Sequence, residues 1–110
     1  MHALEAALAG MQADLRIALV HYSPIEATLV GEVLPLWPFL GSYLLAEAVD
    51  GPGADLILHG HAHGGCREGV TAGGIRVLNV AQPVIRRPFV VLELEPGRVT
   101  SEAAAPGAQA

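Results

Sequence analysis

The sequence predicts an α/β domain, a mixed β-sheet with flanking helices, on three observations. Two apolar runs typical of buried strands, 16–21 and 54–59, each follow a helical pattern. Strands that helices connect in this way should run near-parallel. Two later runs, 75–81 and 89–95, have no long helical pattern between them, so we expect antiparallel pairing there. A chain of 110 residues is one domain or part of one.

The first elements follow from spacing and from proline. Apolar residues recur at helical spacing over residues 3–13, which predicts an amphipathic helix that ends near Gly10–Asp14. "RIALVH" (16–21) is a nearly continuous apolar run that suits a buried strand. The segment 24–41 contains several prolines and glycines and should be a long loop, with a short helical turn near Thr28–Val33.

A second helix and a second buried strand should follow this loop. "SYLLAEAV" (42–49) is the helix, with Ser42 as a suitable N-cap. The glycines and proline of "DGPG" (50–53) end it. "ADLILH" (54–59) is the second buried strand, and glycine-flanked histidines follow its end directly.

The C-terminal third predicts a hairpin and a tail. Pro and Gly occupy the central positions of "EPGR" (95–98), as in a type II turn. We therefore expect the strand at 89–95 to return through Val99. Residues 101–110 are small and polar, which predicts a disordered tail after a domain over residues 1–100.

Composition excludes several classes of function. The net charge of −5 argues against a nucleic-acid-binding surface, which needs a basic stripe. A single cysteine, Cys66, cannot form an internal disulfide and suits a reducing compartment. No apolar run approaches the ~18 residues of a membrane span, and the N-terminus lacks the basic region of a signal peptide. We therefore expect no membrane association and a cytoplasmic protein.

The segment "DLILHGHAHGGCREG" (55–69) places three histidines, His59, His61 and His63, within five positions. Two histidines one residue apart can bind one divalent ion or two adjacent ions, but zinc-like ions need three or four ligands. His21 also follows an apolar run. If the two strands are neighbours, their carboxyl ends share one rim, and His21 should meet His61 and His63 there. These three histidines are the predicted metal ligands.

The alternatives for these and nearby side chains stay open at this point. A histidine at a strand end is often only a hydrogen-bonded, half-buried residue; we interpret His59 in this way, as structural or as orienting a ligand. Glu32 could be a distal ligand or a solvated loop carboxylate. Arg67 could bind a phosphate or only face solvent. Cys66 could reach a metal, although a small buried filler is the preferred interpretation.

Several segments resemble the C-terminal half of the calcineurin-like metallophosphoesterases, over roughly residues 4–95. The segments are "IALVHYSP", "TLVGE", "PFLGSYLLAEAVD", "LILHGHAHGG" and "GGIRVLNVAQPV". The resemblance implies that His21 and His61 bind one metal and His63 the other. It also implies two Mn, Fe or Zn ions, a bridging hydroxide, a phosphate-ester substrate, and a fold that is about half of a four-layer αββα sandwich.

The family's Asp-x-His, Gly-Asp and Asn-His-Asp motifs are absent from the sequence. We therefore predict a phosphoesterase half-domain that is weak or inactive alone. A truncated reading frame, a decayed enzyme or a separate subunit would each fit. The expected partner is a second copy, in a homodimer, or a complementing N-terminal half. The high apolar content, 52% hydrophobic against 15% charged residues, is consistent with such a partner.

Two other functions remain open. One is a non-catalytic metal-binding or interaction module that keeps His21, His61 and His63 without turnover. The other is a mononuclear zinc hydrolase that uses the three histidines and a water, for which Glu32 is the plausible base. The number of ions bound per chain distinguishes these functions from the phosphoesterase. Two ions with phosphodiester turnover favour the phosphoesterase, and one tightly held ion favours the zinc hydrolase. A chain that gave neither result would leave the non-catalytic module.

Overall fold

The computed structural model describes residues 2–95 and 98–104. The helices are α1 (His2–Gly10), α2 (Trp37–Leu40), α3 (Tyr43–Asp50) and α4 (Gln82–Ile85). The strands are β1 (Ile17–Val20), β2 (Leu56–His59), β3 (Glu68–Val70), β4 (Arg76–Asn79), β5 (Val90–Glu95) and β6 (Arg98–Ala104). Two 3-10 turns, Ala27–Leu29 and Leu34–Leu36, lie in the segment between β1 and α2.

The main sheet has the strand order β1-β2-β4-β3. β1 pairs in parallel with β2, and β2 with β4, whereas β3 is antiparallel to β4. β5 and β6 form a separate antiparallel pair. The predicted α/β class with a mixed sheet, parallel helix-linked strands and a C-terminal hairpin is therefore confirmed. The expected antiparallel pairing of the run 75–81 with the run 89–95 is wrong, because β4 lies between β2 and β3 and β5 pairs with β6. The central residues of the predicted type II turn, 96 and 97, lie outside the described residues.

One face of the main sheet carries the core. Ala18, Ile57 and Val77 lie side by side on adjacent strands. They form one buried cluster with Leu8 of α1 and Val49 of α3. Alternate residues of a strand point to the same face, so the helices cover this face with a single apolar layer.

The opposite face is less well covered at β1, which corrects the prediction that 16–21 is a fully buried strand. Leu19 is 76% exposed and Ile17 is 39% exposed. β1 stands at one edge of the main sheet in the described part of the chain. A continuous apolar run indicates a strand, but it does not show whether both of its faces are covered.

Several boundaries differ from the predictions. α1 ends at Gly10, the first residue of the range in which its end was expected, and the segment 24–41 contains two 3-10 turns and the short α2. Ser42 does precede α3, but its hydroxyl makes no capping hydrogen bond. The three-residue β3 and four-residue α4 were not predicted, because elements this short show no periodicity.

The C-terminal segment continues the sheet further than expected. β6 pairs with β5 as far as Ala104, so the strand extends four residues into the segment predicted to be a disordered tail. Residues 105–110 lie outside the described residues. Across the part of the chain that the structure describes, no helix has the length and apolar character to cross a bilayer.

Candidate metal-binding rim

The rim is formed where β1 and β2 end side by side. Val20 pairs with His59 in the parallel register, so the chain leaves both strands at the same edge. The backbone N–H of Gly60 donates to the carbonyl of His21 at 3.3 Å. The rings of His21 and His61 stack, with centroids 4.5 Å apart and planes 30° apart. The predicted meeting of these two histidines at the carboxyl edge of the sheet is therefore observed.

The ring of His61 is held by contacts on several sides. Its Nε2 donates to the carbonyl of Phe39 at 3.2 Å. The ring of Tyr22 lies edge-on to it, with centroids 5.4 Å apart. With its proton on Nε2, a neutral imidazole keeps the lone pair on Nδ1. A histidine that binds a metal commonly donates its other ring N–H to a backbone carbonyl in this way.

The backbone of His61 has an unusual conformation. Its φ is +68°, in the left-handed region. The N–H of Ala62 donates across it to the carbonyl of Gly60 at 2.8 Å. This pattern is that of a γ-turn with a positive φ, which is rare and strained. Such strain persists only where the surrounding structure enforces it, and it is concentrated at functional sites.

The rim does not form a complete metal site as it stands. Imidazole lone pairs lie in the ring plane, so stacked rings present their faces to each other and not their lone pairs to a common point. Among residues 2–95 and 98–104, no group of three or more His, Cys, Asp or Glu side chains could hold an ion. His63 is exposed and does not complete a set of three with His21 and His61.

The two glycines after His63 have a packing role. A Cβ on Gly65 would lie 2.0 Å from the carbonyl oxygen of Thr28, and one on Gly31 would lie 2.2 Å from that of Gly64. Residues 28–32 and 61–65 therefore contact each other backbone to backbone. Glu32 adds to this contact by accepting a hydrogen bond from the Gly64 N–H. Its carboxylate holds the turn in place from the neighbouring loop.

His59 is buried, and its contacts support the structural interpretation. Its Nδ1–H donates to the Gly60 carbonyl at 2.8 Å, and its Nε2 lies 2.8 Å from the hydroxyl of Thr28. Burial lowers the pKa of His59, although its hydrogen bond to Gly60 acts in the opposite direction. The hydroxyl of Thr28 is in turn 2.6 Å from that of Ser23. This network joins the end of β2 to the loop after β1.

The lowered pKa predicts acid sensitivity. Unfolded His59 titrates near the ordinary value of 6.5, above its folded value, so the unfolded chain binds more protons as the pH falls below about 6.5. The contribution of His59 to the free energy of unfolding is fully present above pH 6.5. It is lost progressively as the pH falls towards the pKa that His59 has in the folded protein. Urea unfolding from pH 7.5 to 5.5 should show a larger loss for the wild type than for His59→Gln. Equal losses would contradict this prediction.

Asn79, at the end of β4, supports the histidine turn and was not predicted to do so. Its side chain is fully buried. Its Nδ2 donates to the carbonyl of Ala62 at 2.9 Å, and its Oδ1 accepts from the Ala81 N–H at 3.2 Å. The sequence signal was a lone amide at the end of an apolar strand. Its partner, 17 residues away, could be identified only in the fold.

The two side chains after the turn face outward. Cys66 is exposed, so the interpretation as a buried filler was wrong. Only the backbone of Cys66 contacts the rest of the fold in this way: its N–H donates to the Thr28 carbonyl at 3.0 Å. Arg67 is also exposed, and its carbonyl accepts from the Asn79 N–H at 2.7 Å.

Comparisons with models of known protein families, with curated proteins and with solved structures found no match. The resemblance to the calcineurin-like metallophosphoesterases therefore rests on the sequence motifs alone. The metal, the substrate and the enzymatic activity that it implies stay predictions.

Proposed function

We propose that this chain is the metal-binding half of a divalent-metal phosphoesterase and that it is weak or inactive alone. One observation carries the proposal: the rings of His21 and His61, 40 positions apart in the sequence, lie 4.5 Å apart at the carboxyl edge of adjacent parallel strands. To bind one ion, the two rings would rotate out of their stack until both lone pairs face it. Ligands of open α/β sheets bind at this edge. The strained backbone of His61 and the carbonyl partner of its ring add support.

The chain contributes part of a ligand set in this proposal. Two imidazoles leave one or two positions of a zinc-like ion to other ligands. His63 lies two positions after His61 in the sequence, and its exposure leaves it accessible to a second ion. The carboxylate ligands would come from a complementing N-terminal half or from a second copy. The exposed face of β1, with Leu19 76% exposed, is where the second sheet of an αββα sandwich would pack.

The test is Mn²⁺-dependent binding of inorganic phosphate, measured by calorimetry on the wild type and on His61→Ala. We expect phosphate to bind only when Mn²⁺ is present and the binding to be lost in His61→Ala. A Gly10→Ala variant is the control, because nothing lies within 4 Å of a Cβ at that position. Absence of Mn²⁺-dependent phosphate binding by the wild type would contradict the phosphoesterase proposal.

The second part of the proposal, weak activity, needs a turnover assay. With Mn²⁺ and a nitrophenyl phosphodiester, we expect the chain alone to stay far below the ordinary enzymatic range of about 1–1,000 s⁻¹. Turnover within that range by the monomer, abolished in His61→Ala, would refute the claim of inactivity and leave the phosphoesterase function intact.

A non-catalytic metal-binding module is the second candidate. It needs fewer protein ligands than a two-metal catalytic site, and the described residues hold no third His, Cys, Asp or Glu ligand near His21 and His61. This function predicts divalent-metal binding without any effect of phosphate. A mononuclear zinc hydrolase would additionally require His63 to join the pair, with one zinc ion bound per chain.

A further inference from the structure

A cavity of about 280 Å³ lies between the loop after β1 and the segment containing α2. Residues from 23–29 form one side and residues from 37–43 the other. Pockets for drug-sized ligands have volumes of roughly 300–1,000 Å³. This cavity would therefore take a smaller molecule.

The two sides of the cavity are tied together by backbone hydrogen bonds. The N–H of Ser23 donates to the carbonyl of Leu40 at 2.9 Å, and the N–H of Ser42 donates to the carbonyl of Ser23 at 2.8 Å. The indole of Trp37 is also fixed, because its Nε1–H donates to the carbonyl of Glu32 at 3.0 Å. The cavity is thus present before any ligand arrives, which reduces the entropy cost of binding.

The chemistry of the walls favours a cation. Two aromatic residues, Trp37 and Tyr43, and one acidic residue, Glu26, are among the residues that line the cavity. Residues 22–54 contain four acidic residues and no lysine or arginine. Aromatic faces and a carboxylate both attract an ammonium group, whereas an anion would find no basic side chain in this part of the chain.

We infer that this cavity binds a small organic cation, an ammonium group on a short apolar or hydroxyl-bearing body. The ammonium lies near Glu26 and the rings of Trp37 and Tyr43. A ligand hydroxyl lies near Ser42, whose own hydroxyl makes no capping bond to α3. The inference does not depend on the proposed phosphoesterase function.

Trp37 allows a direct test, because it is the only tryptophan in the chain and lines the cavity. Its fluorescence is titrated with choline and with 3,3-dimethylbutan-1-ol, which has the same shape without the charge. We expect choline to bind about tenfold more tightly, as cation–π and carboxylate contacts predict. Equal affinities, or no saturable response to choline, would overturn the inference.

Substitutions of residues that line the cavity test where the ammonium group of the ligand lies. Glu26→Gln should weaken choline binding about threefold to fivefold and leave the alcohol unaffected. Glu47→Gln is the matched control, since Glu47 is an exposed acid of α3 that does not line the cavity. Tyr43→Leu should also weaken choline binding. Because Tyr43 is largely exposed, we expect this variant to fold, and circular dichroism is the check. Equal effects of the Glu26 and Glu47 substitutions would contradict the assigned position of the ammonium.

Discussion

Gly31→Ala is expected to lower the free energy of unfolding by about 2–4 kcal/mol. Gly31 has a φ of +112°, which side chains rarely adopt, and a Cβ there would lie 2.2 Å from the carbonyl oxygen of Gly64. Both the backbone conformation and the contact must therefore change. The loop carrying Glu32 should also move away from the histidine turn. Urea unfolding measures the stability loss.

Gly60→Ala is the control within the same turn. Nothing lies within 4 Å of a Cβ at Gly60, and its φ is outside the left-handed region. We expect its free energy of unfolding to stay within about 0.5 kcal/mol of the wild type. If both substitutions destabilise the fold equally, the backbone contact between residues 28–32 and 61–65 is not what requires glycine at position 31.

Asn79→Leu is expected to cost about 2–3 kcal/mol of unfolding free energy, although the two side chains are similar in size. The substitution leaves the carbonyl of Ala62 and the N–H of Ala81 without their amide partners, next to an apolar side chain. Ala62, which stands between His61 and His63 in the sequence, is itself buried. We therefore expect divalent-metal binding to weaken together with stability.

Asn79→Asp separates the two hydrogen bonds. It keeps an acceptor for the Ala81 N–H but removes the donor to Ala62 and places a carboxylate against that carbonyl. Metal binding should therefore fall as far as in Asn79→Leu, since the bond to the histidine turn is lost in both. A loss of stability below about 0.5 kcal/mol for Asn79→Leu would contradict the assigned role.

Local patterns were sufficient to predict the parts of the fold that position the histidines. Uninterrupted apolar runs marked β1 and β2, and the helix between them made parallel pairing the expected arrangement. Parallel neighbours end at the same edge, so the meeting of His21 with His61 followed from the strands alone. The glycines after His63 correctly predicted a turn. In the structure, glycine is needed there because the turn contacts the backbone of residues 28–32.

The remaining features depend on contacts between distant residues. The amide of Asn79 bonds to Ala62 across 17 positions, and His59 contacts Thr28 across 31. The strained φ of His61 has no local signature, because left-handed residues are usually glycine or asparagine. The exposure of Leu19 reflects what covers the sheet, which an apolar run cannot show.

The most direct test of the central claim, that His21 and His61 share one divalent ion, is a zinc titration by calorimetry at pH 7.5. The proteins are the wild type, His21→Ala, His61→Ala and the double variant. We expect each single substitution to weaken binding at least about tenfold, and the double variant to bind no more weakly than either single variant. Wild-type affinity in either single variant, or losses that add independently, would show that the two imidazoles do not bind a common ion.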